Sequence, residues 1–89
     1  MFYYVYVLQS LKDKEFYIGY TENLKLRFKD HQKGCVKSTK KRRPLILIYF
    51  EGCLNKKDAS HRERYFKTHF GRMFLKNRLK SYLTGYSKN

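Results

Sequence analysis

The sequence is poor in acidic residues, has two cysteines and one proline, and lacks tryptophan. It contains no apolar run close to the roughly 18 residues that a membrane-spanning helix needs. Its first residues do not combine a positive segment with a following apolar one, which is the pattern of a secretory signal. From these absences we expect a cytoplasmic protein without a membrane segment.

The two cysteines do not form a recognisable metal-binding pattern. Cys35 and Cys53 belong to no CxxC pair and to no spacing of paired histidines. Structural zinc sites usually depend on such patterns. The sequence therefore predicts two free thiols in a reducing compartment, and no zinc site.

Positive charge dominates what the sequence does contain. Twenty-one Lys and Arg against seven Asp and Glu give a formal net charge of +14, which predicts a polyanionic partner. Nucleic acid fits better than a membrane surface, because no stretch joins a basic face to a broad exposed apolar one. The chain is 42% hydrophobic and 18% aromatic, which indicates a packed core. Its length allows one domain, which we assign to residues 1–85, with a short tail over 86–89.

Two aromatic-rich runs, separated by the polar stretch Gln9 to Glu15, predict an antiparallel hairpin at the start of the chain. Strand side chains alternate between two faces, so Tyr4, Tyr6 and Leu8 should point the same way. The second strand is expected to end at Gly19, where the backbone must bend or approach another group closely.

A helix is predicted directly after the hairpin. Thr21 is the expected N-cap, and Glu22 in the first turn suits the positive end of the helix dipole. Gly34 supplies the stop. Four residues at helical spacing form an apolar stripe with polar borders: Leu24, Arg27, Phe28 and His31.

The second half of the chain begins with a basic run, Lys33 to Arg43, that is either a solvated loop or a loop that contacts phosphates. The apolar run Leu45 to Phe50 predicts a strand that is covered on both faces or central in a small sheet. Asn55 is expected to cap a helix that Gly71 ends, and a last helix is expected over about Met73 to Leu83. This order predicts an α+β domain, in which about three helices pack with a three-stranded antiparallel sheet.

Two residues on the first helix are candidates for a functional site. Arg27 is permanently charged and can hold a phosphate with a planar fork of donors, or it can be a surface residue. His31, one turn further along the same face, can exchange a proton near neutral pH, although a single helical His is often structural.

The acid and the tyrosines that are candidates for chemistry each have a structural alternative. Glu63 borders an apolar helical stripe, from which it can reach inward, or it forms an exposed ion pair with Lys67 worth about 0.2–0.5 kcal/mol. Tyr6 and Tyr17 are either core residues or site residues. A phenol with a pKa near 10 is a poor base unless nearby cations lower that pKa.

Several of these residues occur in a familiar order. The trio Tyr4-Val5-Tyr6, the trio Tyr17-Ile18-Gly19 and Arg27 on the next helix resemble the signature of the GIY-YIG endonuclease superfamily. The Gly that names the first motif is Tyr4 here, a residue that suits a strand and leaves Tyr6 in place. Three later motifs resemble the small single-domain branch, so that the likeness covers nearly the whole chain: Ser38-Thr39, Arg43-Pro44 before a strand, and Arg62-Glu63 on a helix.

The resemblance implies a Mg²⁺-dependent endonuclease, with Mn²⁺ as an alternative ion, that hydrolyses DNA by structure or backbone rather than by sequence. It implies that Glu63 is the metal ligand and that Arg27 stabilises the phosphoryl charge. Tyr6 and Tyr17, together with His31, would position and activate water.

The nucleic-acid backbone is expected to contact the basic residues Lys37, Lys40, Lys41, Arg42, Arg43 and Lys67. In some members of the superfamily an Asn of the last helix also belongs to the site. Asn77 is the candidate here, but its spacing from Glu63 is not convincing, so we do not assign it that role.

Two other functions stay open on the sequence. A catalytically weak or inactive nucleic-acid-binding module of the same fold would explain the missing Gly and the uncertain Asn. A basic accessory protein of a ribonucleoprotein would need only the charge. A domain this small is also compatible with a homodimer or a protein partner that helps it to engage two strands.

Overall fold

The computed structural model describes residues 1–85 and has the predicted α+β architecture, while the predicted tail over 86–89 lies outside the described residues. One more helix is present than predicted. The elements follow one another as β1 (Tyr3–Ser10), β2 (Phe16–Thr21), α1 (Leu24–Lys33), a 3-10 turn (Lys40–Arg42), β3 (Leu45–Cys53), α2 (Lys56–Phe66), α3 (His69–Arg78) and α4 (Lys80–Thr84). Within residues 1–85, no helix is long and apolar enough to cross a membrane.

The three strands form an antiparallel sheet in the order β2-β1-β3, with β1 in the middle. The prediction that the apolar run at β3 is central or covered on both faces is wrong, because β3 lies at an edge. Its residues Ile46 and Phe50 are exposed. The central strand is β1, in which every residue from Val5 to Ser10 is buried.

Helices cover both faces of the sheet and divide the core in two. Alternation along β1 sends Val5 and Val7 to the face that packs against α2 and α3, where Phe66 is fully buried. Tyr6 and Leu8 point to the other face, where they pack with residues of α1 and β3. The phase of β1 therefore places Tyr6 beside α1.

The cap of α1 differs from the prediction. Asn23, not Thr21, is the N-cap, and its side-chain oxygen accepts from the backbone N–H of Leu26 at 3.1 Å. The Thr21 hydroxyl accepts from the backbone N–H of Asn23 and so closes the turn before the helix. Glu22 also precedes the helix instead of lying in its first turn. Gly34 ends the helix as predicted, at a φ of 81° that favours glycine.

Two glycines mark close approaches inside elements rather than the ends of elements. Gly19 lies within β2 opposite Tyr6, and Gly71 lies within α3, so the prediction that each ends a segment is wrong. A Cβ at Gly19 would lie 2.2 Å from Cζ of Tyr6, and one at Gly71 would lie 1.8 Å from the carbonyl oxygen of Tyr65. Both positions exclude any side chain unless their neighbours move.

The C-terminal part folds as three short helices. α2 begins at the predicted cap Asn55, whose side chain accepts from a backbone N–H of the first turn at 2.8 Å. The chain leaves α2 after Phe66, and Thr68 caps α3 through its hydroxyl. The single helix predicted over Met73 to Leu83 is wrong, because Leu79 separates α3 from α4.

Candidate active site

Tyr6 lies at the centre of the candidate site. It is on the middle strand, its side chain is 1% exposed, and its ring lies over the backbone of Gly19 on the neighbouring strand. The Tyr6 hydroxyl points to α1, where it lies 2.8 Å from Nε2 of the fully buried His31. Two of the predicted site residues are thus in direct contact.

Hydrogen bonds around this pair favour one proton arrangement. Nδ1 of His31 lies 2.7 Å from Oγ1 of Thr39, whose hydroxyl lies 3.5 Å from the carbonyl oxygen of Val36. Nε of Arg27 can only donate, and it lies 3.4 Å from the Tyr6 oxygen. Every group has a partner when Thr39 donates to Val36 and accepts from the His31 Nδ1–H. The Tyr6 hydroxyl then donates to Nε2, which is the free acceptor of the ring.

Burial keeps the imidazole neutral. Desolvation, and to a lesser extent the Arg27 guanidinium, lower the pKa of His31 to about 4, while Asp30 acts in the opposite direction. Burial raises the pKa of Tyr6, although the hydrogen bond from Arg27 opposes that rise. Burial thus gives His31 a lower pKa in the free protein than its residue type indicates, and its role as a base or proton relay stays a prediction. At neutral pH a protonated phenol faces a neutral imidazole.

Tyr17 and Arg27 complete the cluster. The ring centre of Tyr17 lies 5.2 Å from that of His31 and 6.5 Å from that of Tyr6. Arg27 is half-buried, and its hydrogen bond to Tyr6 raises its pKa, so the guanidinium is a fixed cation beside the phenol. An oxyanion such as a phosphate would be stabilised at this position.

Glu63 lies on α2, and its charge acts on the same phenol. Its carboxylate accepts a hydrogen bond from Nζ of Lys67 at 3.1 Å, which is the ion pair that their spacing allows, and the two side chains are 26% and 53% exposed. Burial is the main cause that raises the pKa of Tyr6 and of Tyr20, and the negative charge of Glu63 is a smaller cause that acts in the same direction. The carboxylate is therefore within electrostatic reach of the Tyr6 hydroxyl.

A hydrated divalent cation fits the donors at this end of the sheet. Mg²⁺ commonly binds proteins through one or two carboxylates and completes its shell with water and phosphate oxygens. Glu63 offers such a carboxylate. The hydroxyl of Tyr20 is buried and has no hydrogen-bond partner within the described chain, so it can bond a water molecule. Within residues 1–85, no three or more His, Cys, Asp or Glu side chains form a group that could hold a metal ion.

The residues predicted to contact the nucleic-acid backbone differ in their contacts within the protein. Arg42 forms an ion pair with Asp13 at 3.7 Å, and Nε of Arg43 donates to the carbonyl oxygen of Lys40 at 3.0 Å. Both arginines therefore help to fix the basic loop on the fold, and Lys67 is paired with Glu63. The lysines of the loop are exposed: Lys37, Lys40 and Lys41.

Thr39 is the site residue that sequence reasoning did not assign a role. It is fully buried, and it orients His31 by accepting from Nδ1–H in the favoured arrangement. The similarity of the Ser38-Thr39 run to the superfamily was its one sequence signal. Asn77 is exposed on α3.

Comparisons with known proteins agree with this architecture. Residues 2–77 match the sequence model of the GIY-YIG catalytic domain. A UPF0213 protein of Clostridium perfringens is 48% identical over 65 residues, which are 72% of this chain and 69% of that protein. The UPF0213 protein YazA of Bacillus subtilis is 43% identical over 65 residues, which are 72% of this chain and 65% of that protein.

A solved structure is similar as well. The solution NMR structure of a UPF0213 protein from Bacillus halodurans matches with a TM-score of 0.53 and 32% identity, and 84% of this chain and 82% of that chain are covered. The predicted fold and the resemblance noted in the sequence are confirmed by these matches. The chain belongs to the GIY-YIG catalytic domain family, and the relatives named here are UPF0213 proteins.

Proposed function

We propose that this protein is a metal-dependent endonuclease that hydrolyses phosphodiester bonds of DNA, with Mg²⁺ as its ion and Mn²⁺ as a substitute. The observation that supports this best is the buried contact of 2.8 Å between the Tyr6 hydroxyl and Nε2 of the neutral His31. Membership of a family of catalytic domains supports the same class of reaction.

The Tyr6–His31 pair can take the proton from an attacking water. In the proposed step, water gives a proton to the Tyr6 oxygen while the Tyr6 hydroxyl proton moves to Nε2 of His31. The water oxygen bonds to phosphorus as the P–O bond to the leaving nucleotide breaks, and the leaving oxygen keeps the bonding electron pair and takes a proton from solvent. A phosphate bound beside Arg27 would offset the positive charge that helps to lower the His31 pKa. The imidazole therefore accepts a proton more readily when substrate is present.

Charge on the transferring phosphoryl group has two sources of stabilisation in this proposal. Arg27 contributes its fixed positive charge next to the Tyr6 hydroxyl. Glu63 would hold the metal ion, which when bound stabilises negative charge on phosphate oxygens as a Lewis acid. Tyr17 packs against the imidazole and helps to keep its orientation.

DNA binding is proposed to depend on the backbone. The net charge of +14 and the exposed lysines of the basic loop neutralise phosphates without reading bases. Recognition by structure or backbone is therefore expected to outweigh recognition of sequence.

Removal of the metal ion tests the proposed function. With Mg²⁺ or Mn²⁺ we expect the full chain to nick supercoiled plasmid DNA and to cut at least one of a single-stranded and a branched oligonucleotide. EDTA should abolish every product, while binding at low salt persists. Cleavage that continues in EDTA would contradict the proposal, and so would DNA binding with no cleavage of any substrate in either metal.

A nucleic-acid-binding module without cleavage is the second candidate. The 3.1 Å ion pair between Lys67 and Glu63 favours it, because the ammonium partly neutralises the carboxylate proposed as metal ligand. This function predicts salt-sensitive binding with no metal-dependent product in the same assay.

A further inference from the structure

An exposed aromatic cluster lies on the same face of the sheet as Tyr6. Tyr4, two residues earlier on β1, has its ring centre 6.1 Å from that of Phe50 on β3 and 6.3 Å from that of Phe2. Phe50 is 52% exposed and Phe2 is 48% exposed. Large apolar side chains that are exposed as a group usually mark a binding surface.

The cluster borders an open groove of about 660 Å³ between the sheet and α1. Leu24 and Phe28 of α1 extend its apolar lining. The charged residues that line it are Lys25, Lys29 and Glu22, so cations outnumber carboxylates there. An apolar groove with a mainly cationic border suits a ligand with a flat apolar part and a negative part.

We infer that this groove binds an unpaired nucleobase of a single-stranded polynucleotide, next to the phosphate that is cleaved at Tyr6. This inference depends on the proposed function, because that function fixes where the cleaved phosphate lies. Proteins that bind single strands combine cationic grooves with exposed aromatic rings, on which bases stack. In a duplex both faces of a base are covered by its neighbours, so a paired base cannot stack on Phe50.

Position along β1 links the groove to the site. The rise of a strand puts Tyr4 about 6–7 Å from Tyr6 on the same face. A base stacked at Tyr4 therefore belongs to a nucleotide at or beside the phosphate near Arg27. Tyr4 also stands where the motif that names the family has Gly, so the ring that meets Phe50 is a departure of this chain from that motif.

Binding measured in EDTA tests the inference without cleavage. The probes are a fluorescein-labelled oligothymidine and a labelled duplex of the same length. Phe50→Ala, and Tyr4→Gly, which restores the residue of the family motif, should bind the single strand about 5- to 100-fold more weakly. Both should bind the duplex as the natural chain does. Phe70→Ala is the matched control, because Phe70 is 71% exposed on α3 and should not affect either probe.

A second measurement does not depend on how the variants fold. An oligothymidine that contains 2-aminopurine should lose fluorescence when it binds the natural chain, because stacking quenches that base. The inference is overturned if 2-aminopurine is not quenched, or if folded Phe50→Ala binds the single strand as tightly as the natural chain. Self-association of the natural chain that Phe50→Ala abolishes would also overturn it, since a second copy would then cover this face.

The two proposals can fail separately. If cleavage is absent on every substrate while Phe50-dependent stacking is present, the proposed function is wrong and the groove still binds a base. If metal-dependent cleavage occurs while the Phe50 and Tyr4 variants bind like the natural chain, the groove inference alone is wrong.

Discussion

Glu63→Gln is expected to reduce single-turnover cleavage of DNA by about a thousandfold or more. A bound metal ion supplies several kcal/mol of charge stabilisation in the transition state, and each 1.4 kcal/mol is a factor of about ten in rate. The amide keeps the size of the side chain but removes the charge that is proposed to hold the ion. The lost ion pair with Lys67 should cost only about 0.2–0.5 kcal/mol of folding free energy.

Asp58→Asn is the matched control, because it removes a carboxylate from the first turn of the same helix. We expect that variant to cleave within a few-fold of the natural chain. Both variants should bind DNA at least as tightly as the natural chain at low salt, since each has one fewer negative charge. Cleavage by Glu63→Gln at the rate of Asp58→Asn would rule out Glu63 as the metal ligand.

Tyr6→Phe is expected to slow cleavage by about 10²- to 10⁴-fold, the usual contribution of a positioned proton-transfer group. The ring still fills the space over Gly19, so the shape of the site is retained. Nε2 of His31 loses its partner, which should cost about 1–3 kcal/mol of folding free energy. Thermal unfolding must therefore be recorded beside single-turnover rates, at a temperature where the variant is folded.

Tyr49→Phe controls for the loss of a hydrogen-bonded hydroxyl. The Tyr49 hydroxyl donates to Glu51 at 2.9 Å, and its ring packs with the core on the opposite face of the sheet from Tyr6. That variant should also lose stability but should cleave DNA normally. Equal cleavage rates for the two folded variants would show that the Tyr6 hydroxyl has no part in the reaction.

Local signals in the sequence predicted much of the fold. The alternation of strand side chains correctly placed Tyr6 and Leu8 on one face of β1. The residue types at Gly34 and Asn55 correctly predicted the end of α1 and the beginning of α2. The edge position of β3 could not be read from its apolar run, because strand order depends on pairing between distant segments. The segment ends predicted at Gly19 and Gly71 are wrong for a similar reason, since the atoms that crowd these glycines lie on other elements, although the close approach expected at Gly19 is present.

In the candidate site, too, some features could be predicted from the sequence and others depend on contacts between distant residues. Spacing on the helix made Arg27 and His31 candidates, the resemblance to the superfamily gave Tyr6 a role beside them, and the structure brings both side chains into contact with the Tyr6 hydroxyl. Residue type does not predict the low pKa of His31, which results mainly from burial, or its orientation by Thr39, which results from a hydrogen bond formed only in the folded chain. The groove at Tyr4 was also not predicted, since its walls come from three separate elements.

Nitrogen-15 NMR of the His31 ring tests most directly whether Nε2 accepts the Tyr6 proton. The chain has three histidines, so a spectrum of His31→Gln identifies the signals that belong to this ring. Recorded from neutral pH downwards, the natural chain should show a neutral ring with its hydrogen on Nδ1 until the pH approaches about 4. A hydrogen on Nε2 at neutral pH would contradict the proposed proton transfer, whereas titration near the ordinary value of about 6.5 would contradict the account of His31 as a desolvated ring.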